Sequence, residues 1–226
     1  MLHIPFADTC ASPVQPVAFG LPAITLLPAP APAAFAIVAE TEAHVPQREA
    51  LLDNAMGPGR TRKSSETIRR GRRPAEGLAF VAIAPDGTLL GTLRLWHISA
   101  GKRDGQSAPA LLLGPLAIEP SAQGLGLGGA LMRHAIAAAK ELGHGAIVLV
   151  GDPEYYVRFG FSTLATGALA MPGPFEQRRL LALELVRNAL EGASGLITPS
   201  GTMIDCDPAI GDTATLVARV PVAEAA

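Results

Sequence analysis

Glycines at every second position, in Gln123-Gly124-Leu125-Gly126-Leu127-Gly128, constrain this chain's fold more than any other feature. They stand between two apolar segments of different period. Upstream, Leu111–Ile118 (LLLGPLAI) reads as a strand. Downstream, Leu127, Leu131, Ala135, Ala138 and Leu142 share one helical face, and Gly143 stops that helix. Ala146–Val150 (AIVLV) then has the continuous apolar character of a buried strand. Strand, helix, strand in this order is a right-handed crossover, so the two strands run parallel. Glycines at the helix entrance leave the first-turn N–H groups open to an anion. The helix dipole adds about 0.3–1 kcal/mol when exposed and up to ~2 when partly buried.

The segments around this unit set a different topology. Leu78–Ala84 and Leu89–Ile98 flank Pro85-Asp86-Gly87-Thr88, a turn signal, and so form an antiparallel hairpin. Lys102–Pro109 reads as a polar loop. Pro115 interrupts the Leu111–Ile118 strand, which implies a bulge or a lost pairing. A strand broken there can splay from its neighbour and open a slot. Phe35–Glu40 is a short strand. Pro46–Asn54 is a helix with Ala50, Leu51 and Leu52 inward, and Ser64 or Ser65 caps a second helix through Ile68. Asp152 and Pro153 open a short helix to Arg158 that Gly160 ends. Phe161–Ala165 and Leu180–Val186 read as strands, and Ile197–Ala226 carries no element.

Size and composition remove several classes of function. At 226 residues, 49% of them hydrophobic, the chain suits one well-buried domain. A net charge of -2 argues against nucleic acid as the main partner. Cys10 and Cys206 have neither disulfide-framework nor zinc spacing, and the histidines are scattered, so no metal site is expected. The uncharged stretch between Asp8 and Glu40 is broken by Pro13, Pro16, Pro22, Pro28, Pro30 and Pro32 and has no basic flank before it. It reads as a flexible leader over 1–34, not as a membrane span or export signal.

Two phosphate ligands compete for the loop. Gly124 to Gly129 matches the dinucleotide pattern GxGxxG, and Asp152 follows a later strand as a ribose-binding acid would. Against this, Glu119–Gln123 separates strand from glycines, and the preceding hairpin is antiparallel where that fold is parallel. No Lys-Ser or Lys-Thr follows the glycines, which disfavours a triphosphate loop.

Leu116-Ala117-Ile118-Glu119-Pro120-Ser121-Ala122-Gln123-Gly124-Leu125-Gly126-Leu127-Gly128 resembles the GNAT superfamily of N-acetyltransferases. That motif is Q/R-x-x-G-x-G/A after a strand ending in an apolar-x-Pro step; Gln123, Gly126 and Gly128 match it. Further on, Gly151-Asp152-Pro153-Glu154-Tyr155-Tyr156-Val157-Arg158-Phe159-Gly160-Phe161 is similar to the Tyr-x-(Lys/Arg)-x-Gly-Phe end of the fold, in the form of a YhbS-like bacterial branch. Gly-Asp-Pro replaces the Asn-x-x-Ala segment that many members carry. The resemblance covers roughly 35–199, leaving 200–226 as a C-terminal extension.

The resemblance implies an α/β fold of α+β type. Its mixed, mostly antiparallel sheet is flanked by helices and has a parallel, splayed strand pair at the acyl-CoA site. It implies acetyl-CoA as cosubstrate, no metal, and direct attack by a primary amine on a small molecule or peptide. Leu116, Ala117 and Ile118 would pair with the pantetheine, the Ile118 N–H polarising the acetyl carbonyl. Gln123, Gly124, Leu125, Gly126, Leu127, Gly128 and Gly129 would hold the pyrophosphate. Tyr156 aligns with the tyrosine that protonates the leaving thiolate, and Tyr155 reads as a core residue. The base is open among Glu119, His97 and a water chain. Arg60–Arg73 reads as a solvated basic face; Arg133 and Lys140 are candidates for CoA phosphate contact. The expected setting is cytoplasmic, without nucleic acid or membrane, and a homodimer is left open. A non-catalytic acyl-CoA-binding module on the same fold is the alternative.

Overall fold

The structure is a computed structural model that describes residues 35–204; the expected leader over 1–34 and most of the C-terminal extension lie outside them. β1 (Ala36–Ala39), β2 (Ala79–Ile83), β3 (Leu89–Arg103) and β4 (Gln106–Leu113) form an antiparallel meander. The β2–β3 turn is the one the sequence marks: Gly87 takes φ 86°, and the Thr88 N–H donates to Asp86 Oδ1 at 2.9 Å. β5 (Ala117–Ile118) also pairs with β3. Helix α3 (Leu127–Glu141) then crosses over to β6 (Ala146–Val150), which lies parallel to β4. β8 (Leu180–Glu184) pairs antiparallel with β6 on its far side. The result is a mostly antiparallel open sheet in the order β1-β2-β3-β4-β6-β8, with the expected parallel pair at β4–β6.

α3 covers one face of the sheet. Leu127, Leu131, Met132, Ala135 and Ala139 are buried against Leu93, Leu95, Leu111, Ile147, Leu149 and Leu181. Each large side chain buried there stabilises the fold by about 1.5–3 kcal/mol. Leu142, expected on this face, is the C-cap residue and 55% exposed, because the helix ends one residue earlier and Gly143 turns away at φ 78°. The opposite face carries α1 (Val45–Met56) and α2 (Ser64–Arg69). Leu51 and Leu52 pack on Val81, Leu89 and Ala117, and Ile68 packs near Leu112 and Val148. Ala50 is exposed and Arg48 is buried in its place. Arg48 is tolerated there because it pairs with Glu40 at the end of β1 and with Glu49.

Four readings of the sequence need correction. Lys102–Pro109 is no loop: β3 runs on to Arg103 and turns through Asp104 (φ 52°) and Gly105 (φ 78°) into β4. Asp-Gly supplies the two left-handed residues that a tight hairpin needs. Leu111–Ile118 is two strands, β4 and β5, parted by Gly114-Pro115-Leu116. Phe161–Ala165 makes only an isolated bridge, Ser162 with Ala182. Beyond it the chain turns inward, where the Thr166 hydroxyl donates to the Leu180 carbonyl at 2.6 Å. Finally, β9 (Ser194–Pro199) spans the start of the segment read as irregular; it pairs with the extended end of β3 and, in parallel, with β7 (Leu169–Ala170).

Candidate active site

The register of β3 shows what Pro115 does. β4 faces β3 with Leu113 opposite Leu95, and the Gly114 N–H donates to the Arg94 carbonyl at 2.9 Å. β5 faces the same strand with Ala117 opposite Thr92. Leu93 therefore opposes both Pro115 and Leu116, which is a bulge of one residue. Proline suits this place because it has no N–H to lose. Gly114 is needed too, since a Cβ there would overlap the Trp96 ring.

The slip has two consequences. The Glu119 N–H donates to the Leu90 carbonyl at 2.8 Å, so alternation turns the Ile118 N–H to the other side of the strand, away from β3. Meanwhile β4 and β6 pair only at Leu111–Ile147 and Leu112–Val148. Leu149 and Val150 continue beside β8 alone. A gap opens between β5 and the end of β6, and the Ile118 N–H faces it.

The glycine loop lies at one end of this gap. Gly124 (φ 80°) and Gly126 (φ 77°) adopt a backbone that other residues rarely take, and Gly126 is the N-cap of α3. The first intrahelical bond runs from the Ala130 N–H to the Gly126 carbonyl, so those of Leu127, Gly128 and Gly129 have no acceptor within the helix. The side chains of Leu127 and Ala117 belong to the core, Leu125 is 60% exposed, and Gln123 is exposed. What this loop can offer a ligand is mainly backbone. The Tyr155 hydroxyl lies 3.2 Å from where a Cβ on Gly128 would stand, and Arg133 folds back to 3.3 Å from that point on Gly129. Tyr155 is thus a wall of the loop as well as a packed residue, with the Arg158 guanidinium 4.0 Å over its ring. Lys140 is exposed in the last turn of α3, most of the helix's length away.

Tyr156 closes the other end. It ends α4 (Pro153–Tyr156), which Asp152 precedes and which one tight turn to Phe159 extends, with Gly160 stopping it at φ 89°. Asp152 makes no side-chain cap and instead pairs with Arg179 at 3.1 Å. Tyr156 packs on Gly151, where any Cβ would overlap its ring, and against Phe161 with centroids 6.0 Å apart. Burial, with smaller contributions from Tyr155 and Asp152, pushes its phenol up to about 12. The residue lines a cavity of about 120 Å³ together with Leu113, Gly114, Pro115, Leu116 and Val150.

The rest of that cavity comes from the basic segment. Arg60, Lys63, Ser65, Glu66 and Arg69 line it, with Met56. The segment is therefore not one solvated face. The Arg60 side chain is 19% exposed and bonds Asp53 and Glu49, both at 2.6 Å. Arg69 is 9% exposed, holds Glu66 at 2.6 Å and stands 5.2 Å over Trp96. Only Arg62, Lys63, Arg70 and Arg73 are exposed as expected. The faint sign in the sequence was Glu49 and Asp53, one helical turn apart on α1, which can face the arginines. Neither Glu119 nor His97 lines this cavity. The His97 ring lies 5.3 Å from that of His144, just beyond the C-terminus of α3, and so at the end of the helix opposite the glycine loop. Among the described residues, no group of three or more His, Cys, Asp or Glu could hold a metal ion, and no helix is long and apolar enough to cross a membrane.

The chain belongs to the acetyltransferase (GNAT) family. Residues 47–161 match it, a span that includes the bulge, the glycine loop and Tyr156. Its enzyme class is accordingly that of the N-acetyltransferases, and the dinucleotide reading of the glycines falls. Among known proteins it is similar to the uncharacterized N-acetyltransferase YhbS of Escherichia coli K12, with 28% identity over 120 residues, 53% of this chain and 70% of YhbS. A crystal structure of Escherichia coli YhbS in complex with CoA superposes with a TM-score of 0.63 at 26% identity, covering 74% of this chain and 90% of that one. The uncharacterized N-acetyltransferase YjhQ of Escherichia coli K12 is 38% identical over 64 residues, 28% of this chain and 35% of YjhQ.

Proposed function

We propose that the chain transfers the acetyl group of acetyl-CoA to a primary amine by direct attack. The observation that carries this reading is the one-residue slip between β4 and β5, which aims the Ile118 N–H into the gap that Tyr156 closes. The CoA complex of Escherichia coli YhbS, which shares the fold, supports CoA as the ligand of this gap.

Acetyl-CoA supplies a thioester whose carbonyl carbon an amine attacks. The free N–H groups of Leu127, Gly128 and Gly129, with the loop Gln123–Gly126, receive the pyrophosphate. The open edge of Leu116–Ile118 receives the pantetheine amides, and the Ile118 N–H donates to the carbonyl oxygen as negative charge develops there. Tyr156 faces the sulfur. With a pKa of about 12 it keeps its proton throughout the neutral range. It therefore acts first as a hydrogen-bond donor to the sulfur and yields the proton only as the C–S bond breaks and the C–N bond forms. The amine attacks as its free base; its nitrogen releases a proton to water, and water returns one to the phenolate.

Thiol release from acetyl-CoA over a panel of primary amines tests the reading, with CoA binding measured alongside. Turnover on at least one amine is expected. CoA binding without turnover on any amine would favour the non-catalytic module instead.

A further inference from the structure

The cavity beside Tyr156 carries an unusual charge arrangement on α2 and the turn before it. Three cations and one carboxylate line it: Arg60, Lys63, Arg69 and Glu66. Two of the cations are already engaged, Arg60 by Glu49 and Asp53, and Arg69 by Glu66. Lys63 has no carboxylate of the described residues within ion-pair distance. Glu66 is engaged only through Oε2, which leaves Oε1 for a ligand. Lys63 is the extended N-cap residue of α2, and Glu66 stands in the first turn. They form no ion pair; Glu66 pairs with Arg69 instead. The cavity wall thus presents one negative and one positive group that are not paired with each other.

A second hollow, of about 460 Å³, adjoins the first and shares Lys63, Ser65 and Val150 with it. Pro174 and Phe175 give it apolar walls, and Arg179 adds a further cation. Arg60 is matched by Glu49 and Asp53, Arg69 by Glu66 and Arg179 by Asp152, so Lys63 is the lining cation that has no carboxylate partner among the described residues, and a simple cationic amine or a polyamine leaves it unmatched. A molecule bearing its own anion does not.

Resting on the acetyltransferase reading, we propose that the acceptor is a free amino acid or a close analogue, a primary amine and a carboxylate a few bonds apart. Glu66 holds the amino end near Tyr156, as an ammonium that gives a proton to water before it attacks, Lys63 holds the carboxylate, and the side chain lies against Phe175.

The test uses the full chain, acetyl-CoA, the common L-amino acids, each one's carboxamide, and amines without a carboxylate such as phenethylamine and spermidine. Thiol release is read as kcat/KM. The best amino acid is expected to exceed its own carboxamide by about 10-fold or more, the value of one charge-assisted hydrogen bond. Lys63→Met should collapse that ratio towards one, chiefly through KM of the carboxylate acceptor. Arg62→Met, an exposed cation of the same segment outside the cavity, should keep it. Both positions are exposed, so the fold should survive, which the thermal transition of each variant checks. Carboxamides or carboxylate-free amines used as well as the amino acids, or a ratio that Lys63→Met leaves intact, overturn the proposal while the acetyltransferase reading stands. Silence across the whole set, spermidine and phenethylamine included, brings down both.

Discussion

Tyr156 concentrates the chemistry proposed for this chain in one hydroxyl. Tyr156→Phe removes the proton and little else, so kcat should fall by about 10²- to 10⁴-fold with CoA binding retained. Single-turnover and binding measurements separate the two. The same burial leaves a mark on stability. In the unfolded chain a phenol ionises near pH 10, whereas Tyr156 keeps its proton up to about 12 when folded. Its contribution is therefore complete below about pH 10 and lost as pH rises towards 12. The thermal transition should drop more steeply over that window in the parent than in Tyr156→Phe. At this scale the sequence was legible where identity is dictated by geometry. Gly126 had to be a residue at ease with positive φ, and Tyr156 stood at a fixed distance from Gly160 and Phe161. Glu66 and Lys63 were not legible, because nothing local distinguishes a charge that lines a cavity from one that meets water.

Elements were legible when their turns were. Pro85–Thr88 placed β2 and β3, and Gly143 placed the end of α3. Asp104-Gly105 carried a signal of the same strength, but polar neighbours on both sides hid two strand ends as a loop. β9 had no such chance: Ile197 is its one fully buried side chain, and its pairing depends on how far β3 extends. The element most dependent on tertiary context is α1, tied to β1 by the buried Arg48–Glu40 pair with Arg94 at 3.7 Å. Glu40→Ala would leave two guanidiniums short of a partner in a buried setting. Glu49 remains beside Arg48, so the cost should lie near the low end for a broken buried pair, about 3 kcal/mol. Urea unfolding measures it, and a change under 1 kcal/mol would mean the pair is solvated.

On the scale of the whole molecule, the β2–β3 hairpin and the crossover followed from the order of segments, because sheet handedness and pairing leave few alternatives; the mostly antiparallel sheet and its splayed pair came with the family resemblance. Segment order does not say which loops line the two hollows beside Tyr156; the family resemblance does, pointing to Leu51–Arg73 and Gly167–Gln177, and α2 and the segment around Phe175 fall within those stretches. If acetyl-CoA binds only the folded state, at 100 times its dissociation constant it should add about 2.7 kcal/mol to stability, seen as a concentration-dependent rise in Tm.

The brevity of the β4–β6 contact bears on more than access. Two residue pairs join β4 to β6, while β9 ties the later chain to the far end of β3, so beside the gap the sheet is a seam with few stitches. A ligand lying along β5 and facing Leu149 and Val150 would lengthen that seam, completing a ladder the chain itself leaves short. The cosubstrate would then be a structural part of the sheet during turnover, and its departure would loosen the join. Amide hydrogens at the end of β6 and at Ile118 should accordingly exchange more slowly with CoA bound, while those of the β2–β3 hairpin should be unaffected.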